Sequence, residues 1–361
     1  MKPALRVRRH HALLPGAALP HAPDCYEFST MTASSPTFPL PDAHDSDHAA
    51  LVSRVAAADA SVRRIALLEL ADLEDPALVP TFVAALRDDP SADVRGEAAR
   101  VLAAWEQPDV VDALCRALLD PDDGVRAIAA QSLSELKDVA SGAVLCRWAE
   151  HAEPLVLVAV LRGLRELRDP AAFAPALRAL DASVPAVRAE AVAVLGWLKD
   201  VHALPPLARI ATTDTHADVR RIAIGAVGFA APDDAAVVTA LLAALRDAAW
   251  QVREEAAATL GKLRVVAARA PLVAALDDDY WQVRLRAVRA LGQLRDAAAA
   301  PAVVGLLSHA ISNLRKEAAL ALGELRDPAT LPALRGALDD RDPEVRKAVR
   351  IAITQVGDDA R

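Results

Sequence analysis

The chain is poor in aromatic residues, cysteine and basic charge, and it carries none of the short motifs that mark common catalytic sites. Aromatics are 3% of 361 residues against 53% hydrophobic. Any core must therefore be made of Ala, Leu and Val in thin layers that continue along the chain rather than around one thick centre. Lys and Arg number 41 against 49 Asp and Glu, a net charge of −8 with no basic stripe, which argues against a nucleic-acid partner. No stretch approaches ~18 consecutive apolar residues without a charge, so no transmembrane helix and no membrane partner are expected. There is no G-x-x-x-x-G-K, G-x-G-x-x-G, H-E-x-x-H or C-x-x-C, and no nucleophile elbow. No catalytic residue, metal or cofactor is expected.

What is present is a period. An Arg preceded by Val, or by Leu at Arg315, recurs at Arg63, Arg95, Arg126, Arg188, Arg220, Arg253, Arg284, Arg315 and Arg346. The spacing is 31 to 33 residues except for one gap of 62, which hides a further copy centred on Leu157. A period of this length means stacked helical units. Three residues after the Arg stands a small or β-branched residue (Ala98, Ala129, Val160), and seven after it an aliphatic one (Leu102, Leu133, Leu164). With the preceding Val these share one face of an amphipathic helix, the second of each unit. Four before the Arg, Asp59, Ser91, Asp122 and Asp342 can cap first-turn amides, and Pro154, Pro185 and Pro343 suit the next position. The helix should thus start three residues before the Arg. Thirteen after the Arg, Pro76, Pro108, Pro170 and Pro328 mark the first helix of the next unit, and with nothing resembling a strand the chain reads as all-α.

Six residues before the Arg, six copies carry Asp: Asp89, Asp120, Asp214, Asp247, Asp278 and Asp340. With Arg95, Arg126, Arg220, Arg253, Arg284 and Arg346 they are expected to form a structural ladder of ion pairs between neighbours, each rung worth ~0.2–1 kcal/mol unless shielded from water. A group that recurs in every unit has no reason to be catalytic. The pattern D-x5-R-x2-A-x3-L, followed by Gly196, Gly228, Gly261, Gly292 and Gly323, resembles HEAT repeats of the short kind found in bilin-lyase-type proteins. The resemblance implies a right-handed α-solenoid (superhelix) of about ten two-helix repeats over residues 45–361, with second helices lining the concave face. Such repeats serve scaffolds, chaperone-like subunits and a few enzymes alike. HEAT-like deoxyhypusine hydroxylases are recognised by paired His-Glu dipeptides, which this sequence lacks.

Residues 1–44 lack the repeat. They are read as a disordered extension or an over-extended reading frame, with Met31 as a candidate start; the basic Arg6, Arg8 and Arg9 precede an apolar run that Pro15 and Pro20 interrupt. Cys25, Cys115 and Cys146 show no metal spacing. The last two, 31 apart, fall on neighbouring first helices, too distant for a disulfide, so buried free thiols in a reducing cytoplasm are expected. His151 and His309 occupy the turn position usual for Asp but lie five repeats apart; His216 sits at a helix cap and His202 in a turn, so none is assigned to a metal. The clusters Asp120/Asp122/Asp123, Asp277/Asp278/Asp279 and Asp339/Asp340/Asp342 are read as caps. In the fourth repeat His151 and Leu157 replace Asp and Arg, which reads as the loss of both partners of one rung and a candidate hinge.

Candidate binding residues are the departures from the pattern. Trp250 and Trp281 open neighbouring Trp-Gln-Val-Arg tetrapeptides, Tyr280 precedes the second, and Glu254, Glu255, Arg286, Lys316 and Glu317 form a charged strip beside them. Trp197 and Phe229 stand where other repeats carry charge, whereas Trp105 aligns with core leucines. Aromatics beside Arg have the composition of interface hot spots. The reading is a cytoplasmic, non-enzymatic scaffold or adaptor that binds a protein or peptide on its concave face. The alternative, motivated by the resemblance, is an accessory lyase-like or oxidoreductase-type HEAT protein that holds a cofactor or modifies a protein.

Overall fold

The aliphatic 3-4-7 spacing is realised as helix in every repeat. In the computed structural model, which describes residues 50–358, twenty helices alternate as first and second members of ten pairs, with no strand among the described residues. The expected boundary at residue 45, the N-terminal extension, Cys25 and Met31 lie outside the described residues. In chain order the helices are α1 (residues 50–54), α2 (Ala60–Ala71), α3 (Val79–Asp88), α4 (Ala92–Leu102), α5 (Pro108–Ala117), α6 (Asp123–Ser134) and α7 (Gly142–Trp148). Then come α8 (Pro154–Leu167), α9 (Phe173–Ala179), α10 (Pro185–Leu198), α11 (Leu204–Thr213), α12 (Ala217–Ala226), α13 (Ala235–Ala244) and α14 (Trp250–Leu263). The last are α15 (Arg269–Ala274), α16 (Trp281–Leu294), α17 (Ala300–Val304), α18 (Ser312–Leu325), α19 (Leu331–Gly336) and α20 (Pro343–Asp358). Even-numbered helices are the second members, and each packs on the next.

Every second helix begins three residues before its Arg or, in α8, before Leu157. Asp59, Asp122 and Asp342 accept first-turn amides, with Asp59 Oδ1 2.7 Å from Ser61 N and Asp342 Oδ1 2.8 Å from Glu344 N. Ser91 does not cap with its side chain; the Asp two residues earlier binds the Ser91 amide instead. Several first helices open with a single tight turn, as at Pro76–Leu78 and Pro170–Ala172, and there Asp75 and Asp169 bind the amide two residues on.

The Val, Ala and Leu of the pattern are fully buried from α4 through α18, and the buried residues join in one continuous cluster from Leu67 to Val356. Each aliphatic side chain so placed contributes roughly 1.5–3 kcal/mol by leaving water. Spacing between second helices is uneven along the stack. A Cβ on Gly261 would lie 2.7 Å from Ala290 Cα, and one on Gly292 2.9 Å from Ala321 Cα, so only glycine lets α14, α16 and α18 approach this closely. In α6 and α8 the same register holds Ser134 and Arg165, and this pair packs more loosely than any other consecutive second helices. Cys115 is buried, but Cys146 is only half-buried, at variance with two buried thiols; burial pushes both thiols above their usual range. Trp105 is half-buried against the core.

Candidate binding surface

The Arg at the head of each second helix reaches two turns at once. In Arg253, Nε and Nη2 grip Asp278 Oδ2 and Oδ1 of the next repeat at 2.7 and 2.9 Å, while Nη1 donates to the carbonyl of Asp247 in its own turn at 2.8 Å. The same fork joins Arg63 to Asp89, Arg95 to Asp120, Arg188 to Asp214, Arg220 to Asp247 and Arg315 to Asp340. Each of these Asp residues also binds the amide two residues on, at Ser91, Asp122, His216, Ala249, Tyr280 and Asp342. Burial pushes the carboxyls of Asp89, Asp120, Asp214 and Asp247 up, yet the fork and the amide outweigh it and hold them below the usual carboxylate range. In Asp278 and Asp340 the Arg hydrogen bond is the largest influence, in the same direction.

Because the Arg looks forward, membership of the ladder differs from the sequence expectation. Arg63, Arg188 and Arg315 take part although their own turns lack Asp, because the Asp belongs to the next repeat. Arg126 and Arg284 do not, because the next turn offers His151 to Arg126 and His309 to Arg284, and Arg346 has no following turn among the described residues. For the same reason His151 and Leu157 do not belong to one rung. His151 holds the register position that the Arg126 fork would meet, whereas the corresponding position ahead of Leu157 is Ala182.

The aromatic candidates fall into two groups. Trp250 and Tyr280 stack with centroids 5.3 Å apart at 14°, Arg253 lies 5.7 Å over the Tyr280 ring, and Trp281 follows Tyr280 at the head of α16. Tyr280 and Trp281 are 45% and 37% exposed, which is much for side chains of this size and leaves an amphipathic shelf above the Arg253–Asp278 rung. Trp197 is exposed beneath Arg168, 4.5 Å over its ring, but it lies at the far end of its second helix, about 18 Å along the axis from the register of Trp250. Phe229 is half-buried against the core rather than facing outward. The five aromatics therefore do not form one ridge.

The charged strip is largely occupied with itself. Glu254 pairs with Arg286 at 3.1 Å, Lys316 faces Glu344 at 4.0 Å, and Glu317 is buried and gripped by Arg289 at 2.6 Å. A Cβ on Gly225 would lie 3.1 Å from Glu255 Oε1, so Glu255 leans on the preceding second helix. Arg289 to Glu317 repeats the geometry of Arg162 to Glu190 at 2.8 Å, a second ladder that the sequence reading passed over. Its signal was present as an Arg five residues and a Glu two residues after the repeat origin in successive units. Glu317 is thus committed to the stack, whereas Lys316 keeps a long, exposed contact with Glu344.

Among the described residues no group of three His, Cys, Asp or Glu side chains converges as a metal would require. His202 Nδ1 contacts Asp200 Oδ1 at 2.7 Å, and His216 makes no side-chain cap bond. No helix among the described residues is long and apolar enough to cross a membrane.

The family model of HEAT repeats matches the chain five times, over residues 49–134, 79–157, 142–228, 212–284 and 269–354. None of the curated proteins compared with the chain matches it. Among solved structures, an engineered protein is similar at 21% identity and a TM-score of 0.51, over 86% of this chain and 99% of that one. Kap95p, in a structure describing its binding to RanGDP, is similar at 15% identity and a TM-score of 0.62, over 89% of this chain and 51% of that one. Yeast importin-beta (Kap95p) gives 13%, 0.59, 88% and 51% in the same order. The chain spans about half the length of Kap95p. At these identities the likeness is one of fold.

Proposed function

Since the chain belongs to the HEAT-repeat family, we propose that it is a non-enzymatic scaffold or adaptor, and that a protein or peptide docks on the face made by its second helices. The observation that carries this is the half-buried Trp250 stacked on Tyr280, with Tyr280 and Trp281 leaving large aromatic surface in water at the head of α16. A rigid aromatic shelf held by an ion-pair rung has little conformational freedom to lose when covered, which is what makes Trp and Tyr strong interface anchors. Glu254 and Arg286 pair with each other within the stack, and binding here draws on apolar and aromatic contact. The fold likeness to Kap95p, which binds RanGDP, supports a protein-binding use of such a stack.

The test is native affinity purification with the wild-type chain and the Trp250→Ala/Trp281→Ala variant. The expected outcome is a partner retained by the wild type and lost by the variant, with an unchanged helical circular dichroism spectrum. Recovery of the same proteins with both chains removes the shelf as a binding site.

A further inference from the structure

The ladder also marks a second site, on helices separate from the aromatic shelf. Six Arg forks close on a carboxylate of the next repeat, always with Nε and Nη2 on its two oxygens. Arg126 has the same place at the head of α6, and its Nη1 makes the usual bond to the turn carbonyl, here of Asp120. The residue that should fill the fork is His151, which turns away, stacks on Trp148 with centroids 5.7 Å apart and receives the Glu153 amide on Nδ1 at 3.0 Å. Arg126 Nη2 falls back on Asp123, whose side chain is 90% exposed, a solvent-screened pair that costs little to exchange.

Beside this fork the loosely packed α6 and α8 leave a groove of about 360 Å³. Its lining includes the apolar Leu118, Ala130, Leu155 and Val158 and the charged Arg126, Arg162 and Asp123, the last being the exposed partner that an incoming carboxylate would displace from Arg126. Leu155 is 59% exposed there, an aliphatic side chain with nothing over it in the stack. The volume suits one or two side chains, at the lower end of the roughly 300–1,000 Å³ of ordinary ligand sites. In the following repeat the corresponding ground between second helices is crossed by the Arg162–Glu190 pair.

We propose that the α6–α8 groove binds a segment of a partner protein in which an aliphatic side chain adjoins a carboxylate, the carboxylate taking the place in the Arg126 fork that Asp holds in the six closed rungs. Charge complementarity fixes the occupant: the fork is planar, two-pronged and positive, and its chemistry has been written six times elsewhere in the chain. The aliphatic neighbour follows from the apolar lining.

The probe is a pair of peptide libraries with a central Asp-Leu or the near-isosteric Asn-Leu, flanked by randomised residues, passed over the immobilised full chain. The wild type is expected to retain Asp-Leu peptides at least ten-fold better than Asn-Leu peptides. Arg126→Met should abolish that preference. The His151→Asp/Leu157→Arg variant rebuilds the rung from within, so it should lose capture by about ten-fold while unfolding at no lower urea concentration than the wild type, which separates a filled fork from a damaged fold. Equal retention of the two libraries, no retention at all, or retention unchanged in either variant overturns the proposal. So does dimerisation of the wild type that the rebuilt rung abolishes, since the groove would then belong to a second copy. None of these outcomes depends on Trp250 or Trp281.

Discussion

At two places in the stack a histidine stands where six other turns carry Asp, and the two behave differently. His151 leaves Arg126 and lies against Trp148, whereas His309 stays under Arg284, its Nε2 3.3 Å from Nη1. Both accept the amide two residues on through Nδ1, at 3.0 Å from Glu153 N and 3.0 Å from Ile311 N, so the cap that Asp would make survives in each. The difference lies in the Arg of the same repeat. Arg315 Nη1 donates to the carbonyls of His309 and Ala310 at 2.8 and 3.1 Å and holds that turn in the ladder position. In the fourth repeat Leu157 stands where this Arg would be, and nothing holds the His151 turn in that way. The repeating Arg therefore has two separable roles: it pairs forward with a carboxylate, and it clamps its own turn so that the turn can be paired by the repeat before.

The clamped histidine is an awkward partner. With Nδ1 accepting from Ile311, a neutral imidazole carries its proton on Nε2, so it turns an N–H toward the N–H of Arg284. The Nε of Arg284 is left buried with no partner, which is not so in any of the closed rungs. A stack with six good rungs thus holds one loose end at Arg126, open to water, and one shielded from it at Arg284.

The largest effect is expected from turning a closed rung into an open one. In the Arg253–Asp278 pair the side chains are 14% and 11% exposed, between a surface pair and a buried one, so Asp278→Asn should cost about 2 kcal/mol, read as a lower urea midpoint. The pH dependence follows from the depressed Asp278 carboxyl. A group held below its unfolded value, ~3.9, stabilises fully above that value and loses its contribution as pH falls through the folded one. The gap between wild type and variant should be constant from pH 7 to about 5 and shrink below about 4. A gap that persists undiminished in acid would mean that packing around Asp278, not the ion pair, carries the loss.

The next effect has the opposite sign. His309→Asp gives Arg284 the carboxylate that its fork lacks in a turn Arg315 already clamps. Relief of an unsatisfied buried donor is worth ~1–3 kcal/mol, so a gain of about 1 kcal/mol or more is expected in the urea midpoint. No gain, or a loss, would show that the shielded histidine is not a weak rung.

The helical register was legible because burial acts on every copy alike: Val, Ala and Leu at fixed spacing have one face to hide and one way to hide it. The direction of the ladder was not. Asp six residues before Arg suggests pairing between neighbours but not which neighbour each Arg meets, and only the stacking of helices brings Arg63 forward to Asp89. In sequence, Trp197 and Phe229 group with Trp250 as aromatic departures from the repeat pattern, although they sit at the other end of their repeats. The self-pairing of Glu254, Lys316 and Glu317 depends on neighbouring helices that no single repeat contains. Leu155 drew no notice and Arg126 read as one more rung because each is ordinary in its own repeat; what sets them apart is a neighbour that has moved away.

The smallest effect is the one that tests the clamp itself. His151→Asp alone supplies a carboxylate on a turn that nothing holds, and Arg126 already has Asp120 and Asp123, so a change of only a few tenths of a kcal/mol is expected. Leu157→Arg alone supplies the clamp but leaves the histidine in place. Together they should stabilise by about 1 kcal/mol more than the sum of the two singles, because the restored Nη1 bond to the turn carbonyl orders the same turn whose carboxylate then meets Arg126. The measurement is a double-mutant cycle on urea midpoints. Strict additivity would show that the turn finds the ladder position without its Arg, and the contrast between His151 and His309 would then have to come from Trp148, which offers the first histidine a ring to stack on and has no counterpart beside the second.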